Sequence, residues 1–318
     1  MAASVQPRLS AFALEVLDGL TARQKKLSPR FFYDDLGSAL FEAITLLPEY
    51  GLTRADERLL RTHGPDIARY TGRVGTVAEL GSGSGKKTRH ILEALVRRNP
   101  LLRYRAIDVS EAALAVCERQ LEAVCEISPV CDDWMQGLSK IARQRSDNDP
   151  LVLLFLGSSI GNLDRNSVPQ FLEELRSHLL PGDFFLLGAD LVKDVRRMLA
   201  AYDDPTGVTG AFNLNLLARI NRELDADFDL RSFAHEVRWH DADRRIEMHL
   251  LCCRKQSVYI GALETTIHFE AGETIWTESS HKFTCGELDE YARSTGFQAV
   301  AAWVDQEWPF AETLWRAE

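Results

Sequence analysis

An α/β fold, a doubly wound and mostly parallel sheet carrying an inserted, mostly antiparallel β lobe, is what the 318-residue sequence predicts. Three observations predict it. Short β-rich runs alternate with amphipathic helical stretches between Val74 and Leu187, which is the pattern of βαβ units with helices on both faces of a sheet. Beyond about residue 192 closely spaced alternating runs take over, with Asp241-Ala242-Asp243 and Ala271-Gly272 as turn signals between them. The first apolar run ends in a glycine-rich turn, Val77-Ala78-Glu79-Leu80-Gly81-Ser82-Gly83-Ser84-Gly85.

Strands are expected over 74–80, 102–108, 126–131, 151–156 and 183–187, with helices over 86–97, 110–123, 134–144 and 166–178 between them. Ser110 precedes the second helix with Glu111 in its first turn, and Pro181-Gly182 separates the fourth helix from its strand. Further helical stretches fall at 192–202 and 208–224, followed by alternating runs at 232–239, 245–252, 257–263, 265–269 and 274–283. A helix over 286–294 and a strand near 298–304 return to complete the first sheet. The expected domains are 57–192 with 282–318, and 1–56 with 193–281.

With 45% hydrophobic residues the chain can bury a sizeable core. A net charge of −10 without any Lys/Arg block argues against a nucleic-acid surface, since phosphate binding draws on clustered cations. No 18-residue apolar run suggests a membrane span, and the N-terminus lacks a leader pattern, so a cytoplasmic monomer acting on small molecules is expected. The six cysteines include no C-x-x-C pair and are expected to be small buried apolar groups, with no metal site.

Glycines at 81, 83 and 85 let the backbone turn sharply and approach a ligand. A dinucleotide turn would need a third glycine at Lys86, and a P-loop would need Thr or Ser where Lys87 stands. In an open α/β sheet the ligand crevice lies beyond the carboxyl ends of the strands, so acids ending strands are the ones to inspect. Asp108 ends the second strand and suits ribose hydroxyls, or else caps the helix that follows. Asp133 and Trp134 follow the third strand and suit an adenine amine and ring face, although Asp132 is hard to tell from Asp133 and Trp134 also reads as core. Glu79 ends the first strand, where a buried acid needs a partner.

The turn resembles the E-x-G-x-G-x-G turn of class I S-adenosylmethionine-dependent methyltransferases, whose cofactor would then be held by Glu79, Gly81, Ser82, Gly83, Lys87, Asp108, Asp133 and Trp134. Five more segments, Phe32-Tyr33-Asp34-Asp35-Leu36-Gly37-Ser38, Leu47-Pro48-Glu49-Tyr50, the run from Phe155 to Leu163, Ala201-Tyr202-Asp203-Asp204 and Arg245-Ile246-Glu247-Met248, are together similar to the histidine Nα-methyltransferase family of ergothioneine biosynthesis. That resemblance implies trimethylation of the α-amine of L-histidine to hercynine, with S-adenosylmethionine as donor. It implies that Asn162 and Tyr202 hold the carboxylate and amine region, that Tyr33 lines the amine side, and that Tyr50 and Met248 lie against the imidazole. By residue type alone, Tyr33, Tyr50 and Met248 also read as core and Tyr202 as a helix end. On the run from Ile275 to Phe283, Glu278 and Ser280 project to one side roughly 7 Å apart, a spacing that suits the two nitrogens of an imidazole, while His281 faces the other way.

Two departures from the family pattern stand out. Ser84-Gly85-Lys86-Lys87-Thr88 adds a glycine and a lysine, which is expected to alter the mobility of the turn, and Gly51 replaces a tyrosine, which is expected to loosen packing beside the imidazole pocket. Two rival readings remain at this point, a methyltransferase for another amino acid or amine and a non-catalytic sensor.

Overall fold

The computed structural model describes residues 10–146 and 148–318. Part of the N-terminal segment read for a leader, residues 1–9, lies outside the described residues. In chain order the first elements are helix α1 (Ala11–Thr21), strand β1 (Lys25–Lys26) and helices α2 (Asp35–Thr45) and α3 (Gly51–Thr71). An alternating series follows: β2 (Thr76–Leu80), α4 (Arg89–Val96), β3 (Arg103–Asp108), α5 (Glu111–Leu121), β4 (Glu126–Cys131), α6 (Trp134–Gln144), β5 (Leu151–Phe155), α7 (Val168–Ser177) and β6 (Phe184–Asp190). Then come α8 (Val195–Tyr202), α9 (Val208–Leu224), β7 (Phe233–His240), β8 (Arg245–Cys252), β9 (Gln256–Ile260), β10 (Thr265–Phe269) and β11 (Thr274–His281). The series closes with α10 (Cys285–Ser294), β12 (Phe297–Val304) and β13 (Phe310–Ala317).

The chain forms two compact units. Unit 1 takes in the described residues of Met1–Glu49 with Val195–His240 and Ile246–Ser279; unit 2 takes in Tyr50–Asp194, Asp241–Arg245 and Ser280–Glu318.

Unit 2 holds a seven-stranded sheet in the order β12-β13-β6-β5-β2-β3-β4. Strands β6, β5, β2, β3 and β4 run parallel, and β13 is antiparallel to both β6 and β12. Both central strands, β2 and β5, are buried throughout, as parallel strands covered on two faces must be. Residue alternation sorts the core into two layers. Val77, Val152, Leu154 and Leu186 pack with Leu60 of α3, Ile91 of α4 and Leu114 of α5. Ala78, Leu80, Leu153 and Phe155 pack with Leu138 of α6, Leu172 of α7 and Leu288 of α10. The fold is therefore doubly wound, with its switch point between β2 and β5, whose following helices lie on opposite faces.

In unit 1 the strands order as β1-β11-β8-β7, beside a two-stranded antiparallel sheet of β9 and β10. Only four residues, 241–244, join β7 to its neighbour β8, too few for a parallel crossover. The expectation of a mostly antiparallel lobe is qualified by β1, which pairs parallel to β11. Helix α2 begins at Asp34, whose Oδ1 accepts from the Gly37 amide at 2.7 Å, and α9 begins under Asp204, which accepts from the Val208 and Thr209 amides.

Several expectations need correction. Helix α4 starts at Arg89, not Lys86, because Lys87 and Thr88 turn inward to meet buried acids. The closing strand β12 does not complete the sheet alone: β13, absent from the reading by periodicity, lies between it and β6. Of the six free cysteines only Cys117 and Cys252 are buried, and Cys131, Cys253 and Cys285 are exposed. Packing at Gly51 is not loose, since a Cβ there would stand 2.2 Å from Cε3 of Trp308. No helix among the described residues is long and apolar enough to cross a membrane.

Gly85 has a packing reason to be glycine. Its φ is +70°, and a Cβ would stand 2.6 Å from Sγ of Cys117 and 2.7 Å from Cδ1 of Leu121 on α5. Gly85→Ala should therefore cost about 2–4 kcal/mol in denaturant titration, combining a left-handed backbone with overpacking. Gly83→Ala, at φ +52° with nothing within 4 Å of its Cβ position, should cost only about 1 kcal/mol; equal losses would refute the packing account.

Candidate active site

The glycine turn leaves the carboxyl end of β2 at the switch point, as the sequence pattern requires. The amides of Gly81 and Ser82 bond to the Ile107 carbonyl, which ties the start of the turn to β3. Asp108, the last residue of β3, accepts from the Gly83 amide at 2.9 Å and, with its other oxygen, from the Ser110 amide at 3.0 Å. Its carboxylate is thus held at the turn, and it also orders the start of α5, the contact expected of a helix cap. Beyond β4 the two neighbouring acids separate. Asp132 pairs with Lys140, whose hydrogen bond holds the carboxyl below its usual range, whereas Asp133 is exposed and caps α6 by accepting from the Gln136 amide at 2.9 Å. Trp134 packs edge-on against Phe155 at 4.8 Å, and its Nε1 stands 3.3 Å from where a Cβ of Gly81 would be. It is a core aromatic whose edge borders the turn.

Beneath the turn lies a buried cluster of charge. Glu79, 1% exposed, accepts from the Thr88 hydroxyl at 2.7 Å and from the Tyr104 hydroxyl. Burial outweighs these bonds and lifts its pKa from an ordinary 4.5 to about 7. Lys87 is half-buried; its ammonium pairs with Asp56 of α3, and although desolvation lowers its pKa, the neighbouring Asp56, Glu79 and Glu312 carboxyl groups raise it above the ordinary value. Asp56 also accepts from the Gly157 amide at 3.0 Å, which brings in the end of β5. Glu312 of β13, opposite Gly188 of β6, is buried near Asp56, and burial foremost, with the Asp56 carboxylate next, pushes its pKa well above the ordinary value. Asp56, Tyr104 and Glu312 had no signal in the sequence beyond being polar residues within apolar patterns.

The other side of the switch point is the turn after β5. Gly157 and Ser158 both take left-handed backbone, φ +71° and +61°, before a short 3-10 helix, Ser159–Asn162, that carries the half-buried Asn162. For serine this conformation carries strain that the surroundings must hold in place. Ser158 Oγ does so by accepting from the Asp190 amide at 2.9 Å. Gly161 sits so close to β11 that a Cβ would meet the His281 carbonyl at 2.9 Å, so the Asn162 turn and the 280–282 segment pack together. There Asp190, ending β6, receives Trp308 Nε1 at 2.8 Å, Lys193, and the fully buried Lys282 at 2.9 Å. Lys282 also donates to Ser280 Oγ at 2.8 Å. Burial would raise the Asp190 carboxyl, but Lys282 and Lys193 hold it below the usual range. Asp190 was findable by the same end-of-strand rule that picks out Asp108, had β6 been read to its full length. Tyr50, buried, precedes α3 in this unit.

The remaining expected residues belong to unit 1. Tyr33 stands edge-on to Phe41 at 5.7 Å and to Phe212 at 6.0 Å. Tyr202 is buried at the end of α8, and its carbonyl accepts from His235 Nε2 at 2.8 Å while Asn213 donates to Nδ1, a set that fits one neutral tautomer. Met248 is buried on β8, with Thr277 donating to its carbonyl at 3.0 Å. On the next position His249 meets Glu247 Oε2 at 3.0 Å and stacks on Trp276. Glu278 is half-buried on β11, and its carbonyl accepts from Trp276 Nε1 at 2.9 Å.

The family model described as "Histidine-specific methyltransferase, SAM-dependent" matches residues 12–317. Histidine N-alpha-methyltransferase of Mycobacterium tuberculosis is 42% identical over 96% of this chain and 94% of its own length. Its namesake in Mycolicibacterium smegmatis is 41% identical over the same shares. Ergothioneine biosynthesis protein 1 of Neurospora crassa is 29% identical over 88% of this chain, which spans 32% of that longer protein.

The buried Glu79 makes a prediction about pH. Its folded pKa lies above the unfolded value, so its contribution to stability is full below about pH 4.5 and is lost as pH rises toward about 7, by about 3 kcal/mol in all. Glu79→Gln cannot ionise. The stability of the wild type relative to this variant, from urea midpoints, should fall across that window; a flat difference would mean that the pKa of Glu79 is the same in the folded and unfolded chain.

Proposed function

This chain belongs to the histidine-specific, S-adenosylmethionine-dependent methyltransferase family, and from that membership we propose that it trimethylates the α-amine of L-histidine to hercynine, a step of ergothioneine synthesis. The observation that carries this reading is the match to that family over residues 12–317, together with 42% identity to a histidine N-alpha-methyltransferase over nearly the whole of both chains.

The residues of unit 2 fit the cofactor. Gly83 presents bare backbone, with nothing within 4 Å of its Cβ position, and the Asp108 carboxylate is held beside it. In this reading Gly81, Ser82 and Gly83 line the cofactor, Asp108 takes the ribose hydroxyls, and Asp133 with Trp134 meets the adenine. Lys87 and Glu79 support the turn from below. When bound, S-adenosylmethionine supplies an electrophilic methyl group on a sulfonium, which a neutral amine displaces in line.

The work left to the chain is positioning. Asn162, with both a donor and an acceptor, and Tyr202 hold the carboxylate and amine region of histidine, and the Tyr33 hydroxyl orients the lone pair of the α-amine. Tyr50 and Met248 border the imidazole, Glu278 accepts from a ring N–H, and Ser280 meets the other ring nitrogen. Each of the three transfers would form one N–C bond as one S–C bond of the donor breaks, with S-adenosylhomocysteine as the leaving group, and needs the amine to have lost a proton first. A cationic donor beside the amine favours its neutral form, so that proton leaves to solvent without a dedicated strong base.

Incubation with S-adenosylmethionine and L-histidine should give a product three methyl groups heavier by mass spectrometry. Product with another amine and none with histidine would overturn the choice of substrate. Glu278→Ala should lower kcat/KM for histidine roughly 10- to 150-fold, the worth of one hydrogen bond to a charged group, and erase the preference for histidine over other amino acids.

A further inference from the structure

Lys282 is the most deeply buried ammonium of unit 2, with none of its residue surface exposed, and the mechanism above does not use it. Asp190 anchors it at 2.9 Å, and that carboxylate is itself fixed by Lys193 and by Trp308 Nε1. From this anchored position Lys282 Nζ donates to Ser280 Oγ at 2.8 Å. An ammonium has donors only, so in this contact the serine oxygen is necessarily the acceptor. A hydroxyl carries one proton and two lone pairs; Lys282 takes one lone pair, and repulsion between the ammonium and the hydroxyl proton turns that proton to the opposite side of the oxygen, which favours donation there.

We propose that Lys282 is a positioning residue that sets the polarity of Ser280, making its hydroxyl a hydrogen-bond donor and so selecting an acceptor whose ring presents a lone-pair nitrogen at that position. The inference rests on the reading that Ser280 meets the imidazole, and it adds a direction to that contact. Ser280 donates to the unprotonated ring nitrogen, while Glu278, an acceptor when ionised, serves the ring N–H. An imidazolium, which has two N–H groups and no lone pair, would face a donor at Ser280. Indole has the same shortcoming, because its one nitrogen is a donor.

The test uses the ring as a probe. Thiazol-4-ylalanine and thiazol-5-ylalanine keep a lone-pair nitrogen at one or the other ring position of histidine, and thienylalanine has none. Each is measured as a substrate or as a competitive inhibitor against L-histidine. The wild type should prefer one thiazolyl isomer over thienylalanine about tenfold, the worth of one neutral hydrogen bond. Lys282→Met, similar in shape and leaving Asp190 with Lys193 and Trp308, should abolish that preference while S-adenosylmethionine affinity stays unchanged. Ser280→Ala should abolish it too, and the double variant should add nothing further. A preference that survives in Lys282→Met, is absent from the wild type, or falls additively in the double variant overturns the orientation. A second measurement needs no variant: 15N shifts of ring-labelled L-histidine bound to the wild type with S-adenosylhomocysteine should show one N–H and one unprotonated nitrogen. Two N–H nitrogens overturn the proposal. Absence of histidine turnover by the wild type instead overturns the substrate reading beneath it.

Discussion

An ammonium taken out of water needs a counter-charge, and unit 2 meets that demand at Lys282 and Lys193, both on Asp190, and in part at the half-buried Lys87. Lys87 finds Asp56 on α3, and Asp56 also takes the Gly157 amide, so one carboxylate joins a helix, the turn after β2 and the turn after β5. Lys282 finds Asp190 at the end of β6, and through Ser158 and Trp308 the same residue holds the neighbouring strained turn and the loop before β13. Removing one partner of such a pair leaves an uncompensated buried charge at a cost of about 3–5 kcal/mol. The two sides of the switch point are therefore tied by these ion pairs as well as by the apolar layers on both faces of the sheet.

Around these pairs the division of labour is plain. Glycine turns supply backbone that a ligand can approach, and acids at strand ends supply directed acceptors. Burial pushes the pKa values of Glu79 and Glu312 up, so both hold a proton more tightly than an exposed carboxyl group would. The chemistry proposed for the site asks for no strong acid or base, and what unit 2 offers in its place is a rigid frame of hydrogen bonds with fixed donors and acceptors.

The sequence made the parallel half of the sheet legible because alternating βαβ units leave a strong periodic signal; β4, α6, α9, β8 and β10 fall where periodicity puts them. The glycine turn and the acid at Asp108 were legible for the same reason, since strand ends in such sheets face the crevice. Asp56, Tyr104, Glu312 and Lys282 were not. Each is a polar residue buried by partners distant in sequence, and a pairing between α3 and the β2 turn has no local signature. Strand β13 was hidden because Glu312 interrupts its apolar run. Gly51 read as a departure that loosens packing and Gly85 as one that alters the mobility of the turn, yet each leaves room that a large neighbour fills, a ring at Gly51 and a cysteine with a leucine at Gly85.

The place of β13 bears on the order of events as the chain is made. It follows β12 in sequence yet lies between β12 and β6, so β6 keeps a bare edge until residues 310–317 emerge. That edge is a row of unpaired backbone groups, the kind of surface on which chains aggregate. The strand that covers it also carries Glu312 to Asp56. Until then a nascent chain can wind its parallel strands but lacks the carboxyl group that packs near Asp56.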